Sequence, residues 1–133
     1  MRIAVLASGR GSNLQALIDA VETGFIPGEI AVVVSDKPDS KAVDRARKHG
    51  IKTAVFLKAD YSDKESFDRA IADYLLEEKI ELICLAGFMR ILGPEFVRTF
   101  SHRIINIHPS LLPAFPGLNA QQQALEYGVK FSG

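Results

Sequence analysis

The run Ile104-Ile105-Asn106-Ile107-His108-Pro109 sets a neutral amide two residues before a titratable imidazole. Its β-branched residues read as a strand that stops at Pro109, because proline cannot donate to a sheet ladder. A side-chain period of two puts Asn106 and His108 on one face, with Ile105 and Ile107 on the other. A neutral donor beside a group that titrates near neutrality is a pairing from which charge stabilisation and proton transfer can be built. A lone histidine at a strand end is more often a satisfied polar residue than a catalyst. Here it follows a buried strand and precedes a loop stiffened by Pro109, Pro113, Pro116 and Gly117, as a pre-organised site requires.

Two further stretches carry chemistry. In Gly9-Arg10-Gly11-Ser12-Asn13 the glycines allow a tight turn and close ligand approach, and the helix that follows offers unpaired N–H groups and a partial positive charge. A phosphate suits such a turn. It is not an NTPase phosphate loop, since no Lys-Ser/Thr follows the last glycine, and it is a poor dinucleotide fingerprint. Leu14 occupies the place of the third glycine, and Asp36 comes late for a ribose-binding acid, though close enough that a nicotinamide cofactor stays open. Gly87-Phe88-Met89-Arg90-Ile91-Leu92 is an apolar segment able to wall a flat aromatic ligand, although apolar residues after a strand are more often core.

The elements that must position these residues alternate. Continuous apolar runs over 3–7 and 30–34 suit strands buried on both faces of a parallel sheet, and 51–57, 80–86 and 104–107 are further strand candidates. Helical spacing begins at Leu14 with Leu17, Ile18 and Val21, where Ser12 or Asn13 can cap the first turn and Gly24 end the helix. Further helices are expected over 40–49, 63–78, 94–99 (opened by Pro94) and 119–127. Strand–helix alternation at this spacing implies an open parallel α/β sheet with right-handed crossovers. Ligands of such sheets bind outside the carboxyl ends of the strands, where strand order reverses. The glycine turn, the 87–92 segment and the Asn106/His108 pair are all expected at that edge.

Composition narrows the partners. The chain has 133 residues, 47% of them apolar, enough for one core, and sixteen basic residues balance sixteen acidic ones. Nothing in that balance points to nucleic acid or an anionic membrane as the main partner; a small-molecule site fits better. The single Cys84 excludes an internal disulfide or a cysteine-based zinc cluster, and its apolar setting reads as packing. No apolar run reaches membrane-spanning length, so a soluble, cytoplasmic protein is expected.

The three motifs together resemble the phosphoribosylglycinamide formyltransferases, folate-dependent enzymes of purine biosynthesis. The resemblance covers essentially all 133 positions. It rests on Ser8-Gly9-Arg10-Gly11-Ser12-Asn13-Leu14-Gln15-Ala16, on Leu85-Ala86-Gly87-Phe88-Met89-Arg90-Ile91-Leu92, and on Asn106-Ile107-His108-Pro109-Ser110-Leu111-Leu112-Pro113 followed by Pro116-Gly117-Leu118. It implies an open, mainly parallel Rossmann-like sheet with helices on both faces, and residues 1–133 as a single formyltransferase-type α/β domain. It also implies that the backbone around Gly11, Ser12 and Asn13 holds the ribose phosphate of glycinamide ribonucleotide. Lys64, Met89, Arg90, Ile91, Leu92 and Asn106 would bind the folate, with 10-formyltetrahydrofolate as formyl donor and no metal. Asn106 would contact the formyl group, and His108 would serve as the proton-transfer residue. A cis Leu112–Pro113 bond is a further implication.

The resembled enzymes continue beyond Gly133 through further strands, a loop whose aspartate partners the histidine, and a C-terminal helix. The sequence is therefore expected to be a shortened form with incomplete catalytic machinery, prone to self-association or complementation through an exposed edge. A formyltetrahydrofolate hydrolase, a Met-tRNA formyltransferase and a non-catalytic nucleotide- or folate-binding module are the competing functions. The tRNA enzyme should not need this glycine turn, and its partner would favour a basic surface.

Overall fold

In the computed structural model, residues 1–107 are described. His108, the proline-rich loop, the Leu112–Pro113 bond and the helix expected over 119–127 lie outside the described residues. Ten elements follow in order: β1 (Arg2–Leu6), α1 (Ser12–Glu22), β2 (Glu29–Ser35), α2 (Lys41–Lys48), β3 (Lys52–Val55), a 3₁₀ turn (Lys58–Asp60), α3 (Lys64–Glu77), β4 (Leu82–Leu85), α4 (Pro94–Thr99) and β5 (Ile104–Asn106). The 3₁₀ turn was not foreseen in the sequence, and β3 is shorter than its apolar run. Strand ends after a buried apolar segment are set by where pairing stops, which the run itself does not encode.

The strands form one parallel sheet in the order β3-β2-β1-β4-β5. After β3 the chain crosses to the far side of β1, so strand order reverses between β1 and β4. Each face of the sheet carries its own core. Leu14, Leu17 and Ile18 of α1 and Ala42 and Ala46 of α2 pack with Val5, Val33, Cys84, Ile105 and Ile107 on one face. Phe67, Ile71 and Leu75 of α3 and Phe96 of α4 pack with Leu6, Val34, Ile83 and Ile104 on the other. The helices after β1 and after β4 thus leave the sheet on opposite faces, which opens a crevice at the reversal point.

The helix boundaries show which local signals decided. Ser40 caps α2 by accepting from Val43 N–H at 3.3 Å, and Asp63 caps α3 by accepting from Ser66 N–H at 2.7 Å. Pro94 sits in the first turn of α4 as expected. The start of α1 corrects the sequence expectation. Its N-cap is Gly11, with φ +79° and no side-chain cap, and Ser12 and Asn13 already belong to the helix. The reason is steric. A Cβ on Gly11 would lie 2.8 Å from the Ala42 Cα, so α1 and α2 can approach this closely only over a glycine.

Candidate active site

All three stretches come together at the carboxyl edge of the sheet. Leu6, Leu85 and Asn106 stand level across β1, β4 and β5, so the chain leaves these strands at one height. Asn106 shares its face with Ile104, while Ile105 and Ile107 are buried in the opposite core, in agreement with the two-residue period. From the glycine turn, Asn13 donates its side-chain N–H to the Ile107 carbonyl at 3.0 Å, across 94 residues of sequence. From the 87–92 segment, Met89 N–H donates to the buried Ser8 hydroxyl at 2.8 Å, and Ser8 N–H reaches the Gly87 carbonyl at 3.3 Å. The turn therefore touches both of its neighbours directly.

A cleft of about 540 Å³ lies between these loops. Asn13, Arg90, Ile91, Leu92 and Asn106, all singled out in the sequence, line it, together with the apolar Leu85 and Phe88. Its walls combine apolar surface with a few polar groups, the composition of a small-molecule site. The amides of Ile91 and Leu92 have no hydrogen-bond partner among the described residues. Met89 and Ile91 are 72% and 81% exposed, a large apolar exposure beside a cleft.

Gly11 and Ser12 do not line the cleft but form the turn beside it. The first i→i−4 bond of α1 runs from Gln15 N–H to the Gly11 carbonyl at 2.8 Å, so the N–H groups of Ser12, Asn13 and Leu14 precede the helical ladder. These groups and the helix dipole favour an anion. A Cβ on Gly9 would meet nothing within 4 Å among the described residues, which leaves that side of the turn open to a ligand. Helix α2 supports the turn from behind. Ala42 N–H donates to the Gly9 carbonyl at 3.2 Å, and Arg45 Nε donates to the Arg10 carbonyl at 3.0 Å.

Lys64 lies outside the cleft lining. At the head of α3 its ammonium pairs with Asp68 Oδ2 at 3.2 Å, and that same oxygen accepts from Gly93 N–H at 2.8 Å. Lys64 is therefore linked to the end of the 87–92 segment through a carboxylate. Arg90 is likewise held by Asp36, Nε to Oδ2 at 3.0 Å. Asp36 is buried in this ion pair rather than offered to a ribose, which removes the main support for the nicotinamide reading.

The sequence reading missed the roles of Ser8, Arg45 and Asp68. Asp68 alone left a usable local signal, an acid on the buried stripe of α3 among Phe67, Ile71, Ala72 and Leu75. Cys84 is buried in β4, and burial pushes its thiol up to about 12, consistent with packing rather than chemistry.

A family model described as "Formyl transferase" matches residues 1–133. Phosphoribosylglycinamide formyltransferase of Haemophilus influenzae is 50% identical over 127 residues, an alignment covering 96% of this chain and 60% of that protein. The Escherichia coli (strain K12) protein of the same name is 46% identical over 133 residues, covering 100% of this chain and 63% of that protein. A solved structure of glycinamide ribonucleotide transformylase 1 from Symbiobacterium toebii superposes with a TM-score of 0.79 at 50% identity, covering 98% of this chain and 61% of that one. The chain thus spans about three fifths of the length of these relatives. The doubly wound sheet, the crevice at its reversal point and the full-length match to the family model lead to one assignment: the chain belongs to the formyl transferase family.

Proposed function

We propose that this chain carries the ligand-binding scaffold of a phosphoribosylglycinamide formyltransferase. The reaction is formyl transfer from 10-formyltetrahydrofolate to the amine of glycinamide ribonucleotide. The observation that carries this reading is the junction of the glycine turn with the strand bearing Asn106, through the Asn13–Ile107 hydrogen bond beside the cleft. That junction sets an anion-binding helix N-terminus beside an amide donor and an apolar wall, one feature for each part of the two substrates. The names of the relatives support glycinamide ribonucleotide as the formyl acceptor.

In this reading the ribose phosphate sits on the N–H groups at the start of α1, around Gly11, Ser12 and Asn13. The folate enters the cleft against residues 89–92, with Lys64 and Arg90 as flanking cations. The substrate amine attacks the formyl carbon, and the carbonyl oxygen gains negative charge as the C–N bond forms. Asn106 donates a hydrogen bond to that oxygen, and His108 supplies a second donor when protonated. A proton must then pass from the attacking nitrogen to the departing folate nitrogen, and the imidazole of His108 carries it directly or through water. Residues 1–133 act as a single domain in this scheme, working in the cytoplasm.

Isothermal titration tests the assignment of ligands to the two subsites. Glycinamide ribonucleotide and tetrahydrofolate are each expected to bind with a stoichiometry of one, and neither should displace the other. Mutual exclusion, or binding of neither, would contradict the assignment.

A further inference from the structure

Of the five buried polar or charged residues among those described, Ser8, Ser35, Asp36, Ser40 and Asp68, three send their side chains to one short segment. Ser8, just after β1, accepts from Met89 N–H at 2.8 Å. Asp36, just after β2, takes Arg90 Nε at 3.0 Å, and Asp68, on the inner stripe of α3, takes Gly93 N–H at 2.8 Å. The other two, Ser35 and Ser40, lie 3.3 Å apart at the cap of α2 and account for themselves structurally.

Burying a carboxylate is costly unless it is paired, and both carboxylates pair with a cation through one oxygen. Asp36 Oδ1 and Asp68 Oδ1 are both buried without a hydrogen-bond partner among the described residues. Each carboxylate places its other oxygen on the same segment. Apolar packing holds that segment only in part. Phe88 and Leu92 are partly buried against the core, whereas Met89 and Ile91 are exposed. Gly93 fits the arrangement: a Cβ there would lie 3.0 Å from Asp68 Oδ2, a tight contact that would push the carboxylate away from the backbone.

We propose that Ser8, Asp36 and Asp68 form a three-point harness that pre-organises residues 89–93 as a ligand-binding wall. The three are positioning residues, since they act through the segment and not on the reacting atoms. The ligand, on the function proposed above, is the folate. The harness also sets the two cations: Asp36 holds Arg90 through Nε, leaving other donors of its guanidinium for a ligand carboxylate, and Asp68 holds Lys64 at 3.2 Å. Fixing the wall before binding removes an ordering cost from the binding step.

Amide hydrogen exchange, followed residue by residue by NMR on the protein and on its Ser8→Ala, Asp36→Ala, Asp68→Ala and Gly93→Ala variants, tests the harness. Exchange is expected to quicken about tenfold, the scale of one hydrogen bond, at Met89 in Ser8→Ala and at Gly93 in Asp68→Ala. Asp36→Ala, which frees the Arg90 side chain, should quicken it at Met89, the hydrogen-bonded amide beside Arg90, while Val5 and Cys84 in the sheet stay unchanged in every case. Asp68→Asn, which keeps a neutral acceptor, should restore part of the protection, and Gly93→Ala should reproduce the Asp68 effect with the carboxylate intact. Tetrahydrofolate binding should weaken about tenfold in the alanine variants, with glycinamide ribonucleotide affinity within about twofold of the parent. Unchanged exchange at 89–93, equal acceleration throughout the sheet, or equal weakening of both ligands would overturn the proposal. Should the parent protein fail to bind tetrahydrofolate, the proposed function fails, and the exchange data still decide whether the harness exists.

Discussion

Asn106 combines a simple structural position with a demanding chemical role in the proposed reaction. It stands at the end of β5, half-buried, on the face that lines the cleft. Replacing it with alanine in the full-length enzyme is expected to leave the fold intact and to lower kcat by roughly 10²–10³, the scale of one oxyanion donor. Steady-state kinetics beside circular dichroism check both halves, and an unchanged rate would remove Asn106 from the mechanism. Cys84 makes the opposite kind of prediction. Its thiol is held neutral by burial, with a pKa near 12, so a disulfide reagent at pH 8 should label it only as fast as the protein unfolds. Because the folded thiol ionises later than the unfolded one, the associated stability is complete below about pH 9. It declines as pH rises toward 12. At this scale, residues whose positions follow from strand register, such as Asn106, were readable in the sequence. The partners of Asp36 and Asp68 were not, because they lie 54 and 25 residues away and only the fold brings them together.

At the scale of elements, the two ends of the reading fared differently. The boundaries of α3 were legible because Asp63 caps it through a local bond to Ser66, a signal that survives in any tertiary setting. That bond holds the Asp63 carboxyl below the usual aspartate range, with the backbone N–H of Ser66 as the largest cause. A depressed folded-state pKa means that the cap stabilises α3 above the unfolded aspartate pKa and loses that contribution as pH falls through the lower folded value. Asp63→Ala should therefore lower the Tm at pH 7 and leave it nearly unchanged at pH 2, by differential scanning calorimetry. The start of α1 was misread because its cap depends on how closely α2 approaches, which no local pattern encodes. Gly11→Ala would combine a strained φ of +79° with a 2.8 Å clash against Ala42. A loss of about 1–3 kcal/mol is expected in urea denaturation, together with weaker binding of glycinamide ribonucleotide.

For the molecule as a whole, alternation of apolar runs with helical spacing was enough to predict a parallel sheet covered on both faces. Strand order was not readable, since nothing in the β4 run states that it pairs with β1 rather than β3. The order found, β3-β2-β1-β4-β5, is what brings the glycine turn, residues 87–92 and Asn106 to one edge, so topology converts three separate motifs into one cleft. The account's central claim is that this cleft joins two substrates for direct transfer. The most direct test incubates the purified protein, joined to the C-terminal region its relatives carry, with 10-formyltetrahydrofolate, with and without glycinamide ribonucleotide, and follows formylated ribonucleotide and free formate together. The account predicts formylated ribonucleotide as the product and consumption of the donor only when the ribonucleotide is present. Formate release at the same rate without the ribonucleotide, or an untouched donor in its presence, would contradict it.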